Sequence, residues 1–177
     1  LDLSAVADFE SLLALCSANH RGDVRRRLRR LAERGEVELW VPGGGDGPAA
    51  TADFRSGFLP AYHAVWDGRP EGDLLRQPGL EDFVARLVGD GLPGGWAHYS
   101  ALRVDGRAVA WHLGLLDGPR DQTDLYWWFP TYDPAWESFS PGKVLLARLL
   151  ERGIAQGLRR VHFLTGGQPY KLAWKPA

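Results

Sequence analysis

At 177 residues, 45% hydrophobic and 24% charged, with a formal net charge of −1, the chain can build one folded domain around a real core. The near-zero charge argues against a domain-wide nucleic-acid footprint, and no apolar run is long enough to span a bilayer. The single cysteine, Cys16, excludes an internal disulfide framework and a cysteine-built metal site. In its LLALCSA setting Cys16 reads as a small buried hydrophobe. Nothing near the start reads as a signal peptide, so a cytoplasmic compartment is expected. The chain opens without Met in a helical pattern, and the expectation is a piece of a longer polypeptide.

Residues 3–18 predict a helix, with Leu3, Val6, Phe9, Leu12, Leu13 and Cys16 at helical spacing. Asn19 to Gly22 is expected to interrupt it. Residues 23–34 resume the helix with Val24, Leu28 and Leu31 on one face and arginines elsewhere, and Gly35 is the expected stop. We expect residues 1–35 to form a helical lead-in, arginines outward, to a second unit, 36–177. Val37–Val41 alternates as a strand. PGGGDGPAA reads as a loop. Phe54–Trp66 reads as a helix that Pro60 bends or delays, and Leu80–Val88 as another. After the Gly/Pro break at 91–95 the period changes to two. Trp96–Val104 and Ala108–Leu116 flank Asp105-Gly106-Arg107, a hairpin signal. Leu125–Phe129 is a third strand, 142–156 a helix and Val161–Leu164 a last strand. This order, β-α-α-β-β-β-α-β, implies a mixed α/β fold with one mostly antiparallel sheet and helices on its faces.

The stretch from the aromatic strand Leu125–Phe129 through Pro141-Gly142-Lys143 carries most of the functional signal. A strand that feeds a small-residue turn at a helix N-terminus can hold an anion, because the first amides lack intrahelical partners and the dipole is positive there. A phosphate-bearing cofactor follows as the first candidate. The backbone amides of Gly142, Lys143 and Val144 would serve it, with Ser140 before them and the Lys143 ammonium beside them. An ordinary loop-to-helix junction with Pro at its start is the alternative.

The element order and the run FPTYDPAWESFSPGKVLLARLLERGIAQGLRRVHFLTGGQPYKLAW resemble the GNAT acyltransferase fold, and within it the C-terminal half of the CelD family of cellulose-biosynthesis acetyltransferases. The matching pieces are Phe-Pro-x-Tyr-Asp-Pro, Ser-Pro-Gly-Lys, the Gly-Leu before the last strand and the Tyr-Lys near the end. The Arg-rich HRGDVRRRLRRL resembles that family's pattern too. The resemblance implies an acetyl- or acyl-coenzyme A co-substrate, a small-molecule acceptor such as a sugar or envelope precursor, and a second GNAT domain in the full polypeptide. The fold's usual Arg/Gln-x-x-Gly-x-Gly/Ala signature falls here on Glu137, Ser140 and Gly142, so only the last glycine is kept.

Acyl transfer needs a pyrophosphate site, a donor to the thioester oxygen and a route for the acceptor's proton. Phe129 or Thr131 is expected to offer the amide to the thioester, since Pro130 cannot donate; a plain core strand is the alternative. Tyr132 and Asp133 are the preferred proton-transfer pair, with Glu137, His112, His162 and Tyr170 also weighed. Tyr170 and Lys171 are candidates for contact with the acceptor or a phosphate. The five histidines lack ligand spacing, so no metal is expected. Two other functions stay open: a Fem-type transferase using aminoacyl-tRNA, with the arginine helix on the RNA, and a degenerate, non-catalytic GNAT module that pairs with a partner domain.

Overall fold

The computed structural model describes residues 1–69, 72–118, 123–164 and 169–174. Among the described residues, five strands form one sheet in sequential order. The strands are β1 (Val37–Trp40), β2 (Ala97–Val104), β3 (Arg107–Asp117), β4 (Asp124–Tyr132) and β5 (Arg160–His162). β1 to β4 pair antiparallel. β5 runs parallel to β4, which requires a crossover, and α6 (Pro141–Ala155) supplies it. The β2–β3 hairpin turns through Asp105 and Gly106, with φ of 48° and 78°. Both residues take the positive φ that suits the twist of the flanking strands.

Helices cover both faces. On one face α1 (Phe9–Leu15), α2 (Ala18–Ala32) and α6 pack with the sheet into a single apolar cluster. Leu3, Leu12, Leu13, Val24 and Leu31 of the lead-in share it with Leu102, Leu125, Leu145 and Leu149. On the other face α3 (Gly47–Asp53), α4 (Leu59–Trp66) and α5 (Leu80–Gly94) bury Phe54, Phe58, Val84 and Val88 against Tyr99, Trp111 and Phe129.

Several elements differ from the sequence reading for local reasons. α1 starts only at Phe9, because Asp8 caps it by accepting from the Ser11 amide at 2.7 Å. Leu3 instead joins the sheet, donating its amide to the Arg159 carbonyl at 2.8 Å. α2 starts before Gly22, at Ala18, capped by Ser17, and carries the glycine inside, a cost of about 1 kcal/mol that burial of Val24 and Leu31 offsets. The glycine-rich loop becomes helix α3, with Pro48 in its first turn and Ala50 buried. A Cβ on Gly47 would stand 2.9 Å from the Gly89 carbonyl, so glycine is what lets α3 approach α5. The expected Pro60 defect is real but sits upstream: Phe54–Phe58 forms a π turn, which accommodates the missing Pro60 amide.

The arginines of α2 do not all face outward. Arg21 donates to the Leu13 and Cys16 carbonyls, and Arg25 pairs with Glu10. Arg26 and Arg27 both hold Asp23, while Arg30 and Arg34 lie over the Phe139 ring at 5.6 and 5.4 Å. Arg21 and Arg25 tie α2 to α1, and Arg30 ties it to Phe139, as does Arg34 just beyond its end; the Asp23 pairs lie within α2 itself.

Among the described residues, several buried polar groups have no protein partner, Ser100, Thr131 and His112 in the core among them. His112 is fully buried and stacked 3.9 Å from Trp127, and neither ring nitrogen has a partner among the described residues. His98, half-buried with its Nε2 sealed, lies 5.5 Å away. Burial pushes the pKa of both below the ordinary histidine value, and their neighbours deepen this: Arg152 for His98, His98 for His112. Both are therefore neutral when folded and become charged in the unfolded chain as pH drops below about 6.5. Stability is complete above that pH and falls below it. Asp2 and Asp124, held down at about 2, add losses only at lower pH. Urea unfolding should show a midpoint that declines from pH 7 to 5. His112→Phe should flatten part of that decline and be neutral, or up to about 1 kcal/mol stabilising, at pH 7. An unchanged pH slope in the variant would count against the account.

Candidate active site

The site follows from how β4 is built. Its pairing with β5 covers only Asp124–Tyr126. Beyond that point no described residue pairs with the outer edge of Trp127–Tyr132, and the sheet opens. A bulge adds to this. Leu113 stands opposite Phe129 but Gly114 opposite Trp127, so Trp128 is an extra residue. The bulge switches the strand's faces: Leu125 and Trp127 join the α6-side cluster and Phe129 the α4-side cluster.

Phe129 and Thr131 are both buried. Asp133 donates its amide to the Val109 carbonyl at 3.0 Å. With the register, this turns the backbone of Thr131 toward Trp111 and of Phe129 toward Leu113. Neither therefore offers an amide to the opening; Tyr132 does.

After β4 a 3-10 turn, Pro134–Phe139, leads to α6. Ser140 is left-handed, φ 53° and ψ 52°, where the usual signature has glycine. Arg27 donates to its Oγ from α2. The Ser140 carbonyl accepts the amides of Lys143 and Val144 at 3.0 and 3.3 Å. Of the three amides proposed for the anion, only that of Gly142 has no partner among the described residues. A Cβ on Gly142 would sit 3.9 Å from Tyr132, an ordinary contact, so the fold itself does not demand glycine there.

Tyr132 and Asp133 do not act as a pair in this structure. The Tyr132 hydroxyl donates to Glu137 Oε1 at 2.9 Å, and burial followed by that bond pushes its pKa up. Asp133 accepts from the Ala135 amide at 3.0 Å and pairs with Arg107 at 2.7 Å. On the short helix α7 (Pro169–Leu172), Tyr170 accepts from Trp127 Nε1 at 3.3 Å. The tyrosine thus meets the side chain of Trp127, the first residue of β4 beyond its pairing with β5, and burial pushes its pKa up. Lys171 donates to the Phe163 carbonyl at 2.9 Å, and burial pushes its pKa down. His162 engages Asp124 at 2.9 Å and stacks on Tyr126. Gly167 and Gln168 lie outside the described residues.

A cavity of about 230 Å³ adjoins α6, bounded by α2 and α7 and lined by His20, Asp23, Arg27, Lys143, Tyr170 and Trp174 among others. Sequence reasoning missed Arg27 as a site residue, because nothing local distinguishes it from the other arginines of α2. Among the described residues, no group of three His, Cys, Asp or Glu side chains could hold a metal, and no helix is long and apolar enough to cross a membrane.

An open mixed sheet with helices on both faces, parted between β4 and a parallel β5 beside a helix N-terminus, defines an acyltransferase class of fold. A sequence model of the acetyltransferase (GNAT) domain matches residues 18–172. The chain belongs to that family and is by class an acyltransferase enzyme. Solved structures agree on the fold. One is an aminoglycoside acetyltransferase from an uncultured soil metagenomic sample, in complex with sisomicin: 14% identical, TM-score 0.52, covering 77% of this chain and 82% of that one. A predicted acetyltransferase with acetyl-CoA from Clostridium acetobutylicum is 9% identical, TM-score 0.53, covering 80% and 90%. A conserved protein of unknown function from Bacteroides thetaiotaomicron is 12% identical, TM-score 0.59, covering 96% of this chain and 54% of that one. Among curated proteins no match was found.

The left-handed serine generates a test. Ser140→Gly should relieve the backbone and change stability by no more than about 1 kcal/mol in either direction. Arg27→Ala should destabilise by about 1–2 kcal/mol, because it removes the bond to Ser140 and one partner of Asp23. Chemical denaturation of the two variants checks the order; a larger loss for Ser140→Gly would refute the role given to Arg27.

Proposed function

We propose that this domain transfers an acyl group from acyl-coenzyme A to an amine or hydroxyl of a small molecule. The observation that carries the reading is the outer edge of β4 beyond Tyr126, unpaired among the described residues, which leads to an open amide, Gly142, at the start of α6. The β4 edge from Trp127 to Tyr132 spans roughly 17 Å, enough to accompany an extended pantetheine arm. In this reading the Gly142 amide and Lys143 serve the phosphates, with Ser140 and Val144 shaping the turn, and the Tyr132 amide pairs with the arm. The thioester then lies near Trp127 and Tyr170. Tyr170, kept protonated by burial, suits the donor of a proton to the departing thiolate. It replaces Tyr132 and Asp133 in that part of the chemistry, since both are engaged elsewhere. Phe129 and Thr131 hold β4 in place, and Lys171 keeps α7 over the opening.

A sugar or envelope precursor as acceptor, a CelD-type protein, a cytoplasmic setting and a second domain of the same fold remain our reading from the sequence resemblance. The Bacteroides protein, of which this chain covers 54%, offers support for a longer assembly. The tRNA-dependent alternative is less favoured, because several arginines of α2 are committed to contacts within the domain.

Calorimetry with acetyl-coenzyme A, followed by a thiol-release assay over a panel of amino sugars and sugars, tests the proposal. Gly142→Val should fold normally and weaken acetyl-coenzyme A at least tenfold. Tyr170→Phe should leave that affinity within about twofold and lower turnover at least tenfold, a loss of about 1.4 kcal/mol or more in barrier terms. No binding to the wild-type chain would favour the non-catalytic module instead.

A further inference from the structure

The face of the sheet opposite α6 carries a second cavity, of about 440 Å³. It lies between the helical stretch 53–64 and the strand ends at 107–111 and 133–134. Most of its wall is small and apolar: Gly57, Pro60, Ala61 and Ala64 on the helical side, Ala108 and Pro134 on the other. Two local features shape it. A Cβ on Gly57 would stand 2.8 Å from the Trp111 ring, so glycine lets the chain come down onto the indole. The π turn Phe54–Phe58 follows Asp53 directly and holds Ser56 and Gly57, and all three line the cavity. Such turns recur at functional sites.

Three charged side chains line this cavity: Asp53, Arg107 and Asp133. Arg107 pairs with Asp133 at 2.7 Å, and Asp133 also accepts the Ala135 amide. Asp53 has no cationic partner among the described residues. Its Oδ2 accepts two neutral donors, the Tyr99 hydroxyl at 2.8 Å and Trp111 Nε1 at 2.9 Å, and both come from buried rings. Its Oδ1 accepts no bond among the described residues. The carboxylate is thus held through one oxygen, while its charge stays uncompensated beside an apolar wall.

We propose that this cavity binds a small organic ammonium ion, a primary amine on a short alkyl chain. The ammonium donates to Asp53 Oδ1, and the alkyl chain rests on the alanines and prolines. A charge-assisted bond to a carboxylate that is already oriented costs little ordering. A hard inorganic cation is a poorer match, because it asks for several oxygen ligands where this wall is mostly carbon. The site is separate from the place proposed for acyl transfer. Trp111 stands opposite Thr131, roughly 13 Å along β4 from Trp127, and the two tryptophans belong to clusters on opposite faces. An amine held here is a bound ligand and not the acceptor of the acyl group, so the inference does not rest on the acyl-coenzyme A reading.

Two-dimensional NMR on the whole chain tests this by following the Trp111 indole N–H, whose signal Trp111→Phe assigns. Butylammonium chloride should shift that signal saturably. Sodium chloride at the same ionic strength and 1-butanol should not. Asp53→Asn keeps an oxygen for Tyr99 and Trp111 but removes the charge; it should keep the wild-type circular dichroism and weaken butylammonium at least tenfold. Ala64→Trp fills the cavity from an exposed position and should weaken it as much. If Asp53→Asn fails to fold, Ala64→Trp decides alone. A wild-type signal that does not saturate, or that moves equally with sodium or 1-butanol, overturns the site. Equal butylammonium affinity in wild type and the folded variants overturns it too.

Discussion

The early parting of β5 from β4 is the constraint on which the site depends. A strand buried within a sheet normally spends its backbone groups on two neighbours. Among the described residues, the outer edge of β4 has such a neighbour only over Asp124–Tyr126. The rest of that edge keeps hydrogen-bonding capacity that the described residues do not use. In the function we propose, an extended ligand with alternating donors and acceptors takes up that capacity. The bulge at Trp128 belongs to the same solution. It lets β4 contribute Trp127 to one core and Phe129 to the other, so the strand stays anchored while its edge is bare.

The helix start uses a substitution of means. Where the fold's signature relies on glycine to reach a left-handed backbone, this chain uses serine and recruits a guanidinium from a helix more than a hundred residues earlier. Conformational freedom is exchanged for a tertiary contact. The chemistry of the turn is therefore tied to the packing of α2, and the lead-in is part of the site's architecture as well as of its core.

Much of the fold was legible from the sequence because its signals are local. Period two with Asp-Gly marked the hairpin, and helical spacing with Pro141 at the start marked α6. What could not be read depended on distance in the chain. Leu3 belongs to the sheet because β5 has a free edge, which no window around Leu3 reveals. The end of the expected loop 42–50 is helical, and α3 can lie against α5 because Gly47 meets Gly89. The general location of the site was readable, since the strand, turn and helix are contiguous. The assignment of amides was not, because a single extra residue at Trp128 and a reused Ser140 carbonyl decide which backbone groups face outward. Arg27 was hidden among arginines that differ only in what they meet.

The pairing of residues 1–3 with residues 159–161 has a consequence for how the molecule is made. Leu1 and Val161 exchange backbone bonds at 2.8 Å in both directions, a contact of almost the greatest sequence separation this chain allows. Such a contact cannot form during synthesis until nearly the whole domain has emerged, and closing so long a loop is entropically late in any folding sequence. Until then β5 has no second partner, and α1 lacks α6, one of the two helices it packs against. The nascent chain would carry an uncovered apolar flank, Leu12 and Leu13 included, through most of translation, which is the period in which chaperone binding matters most.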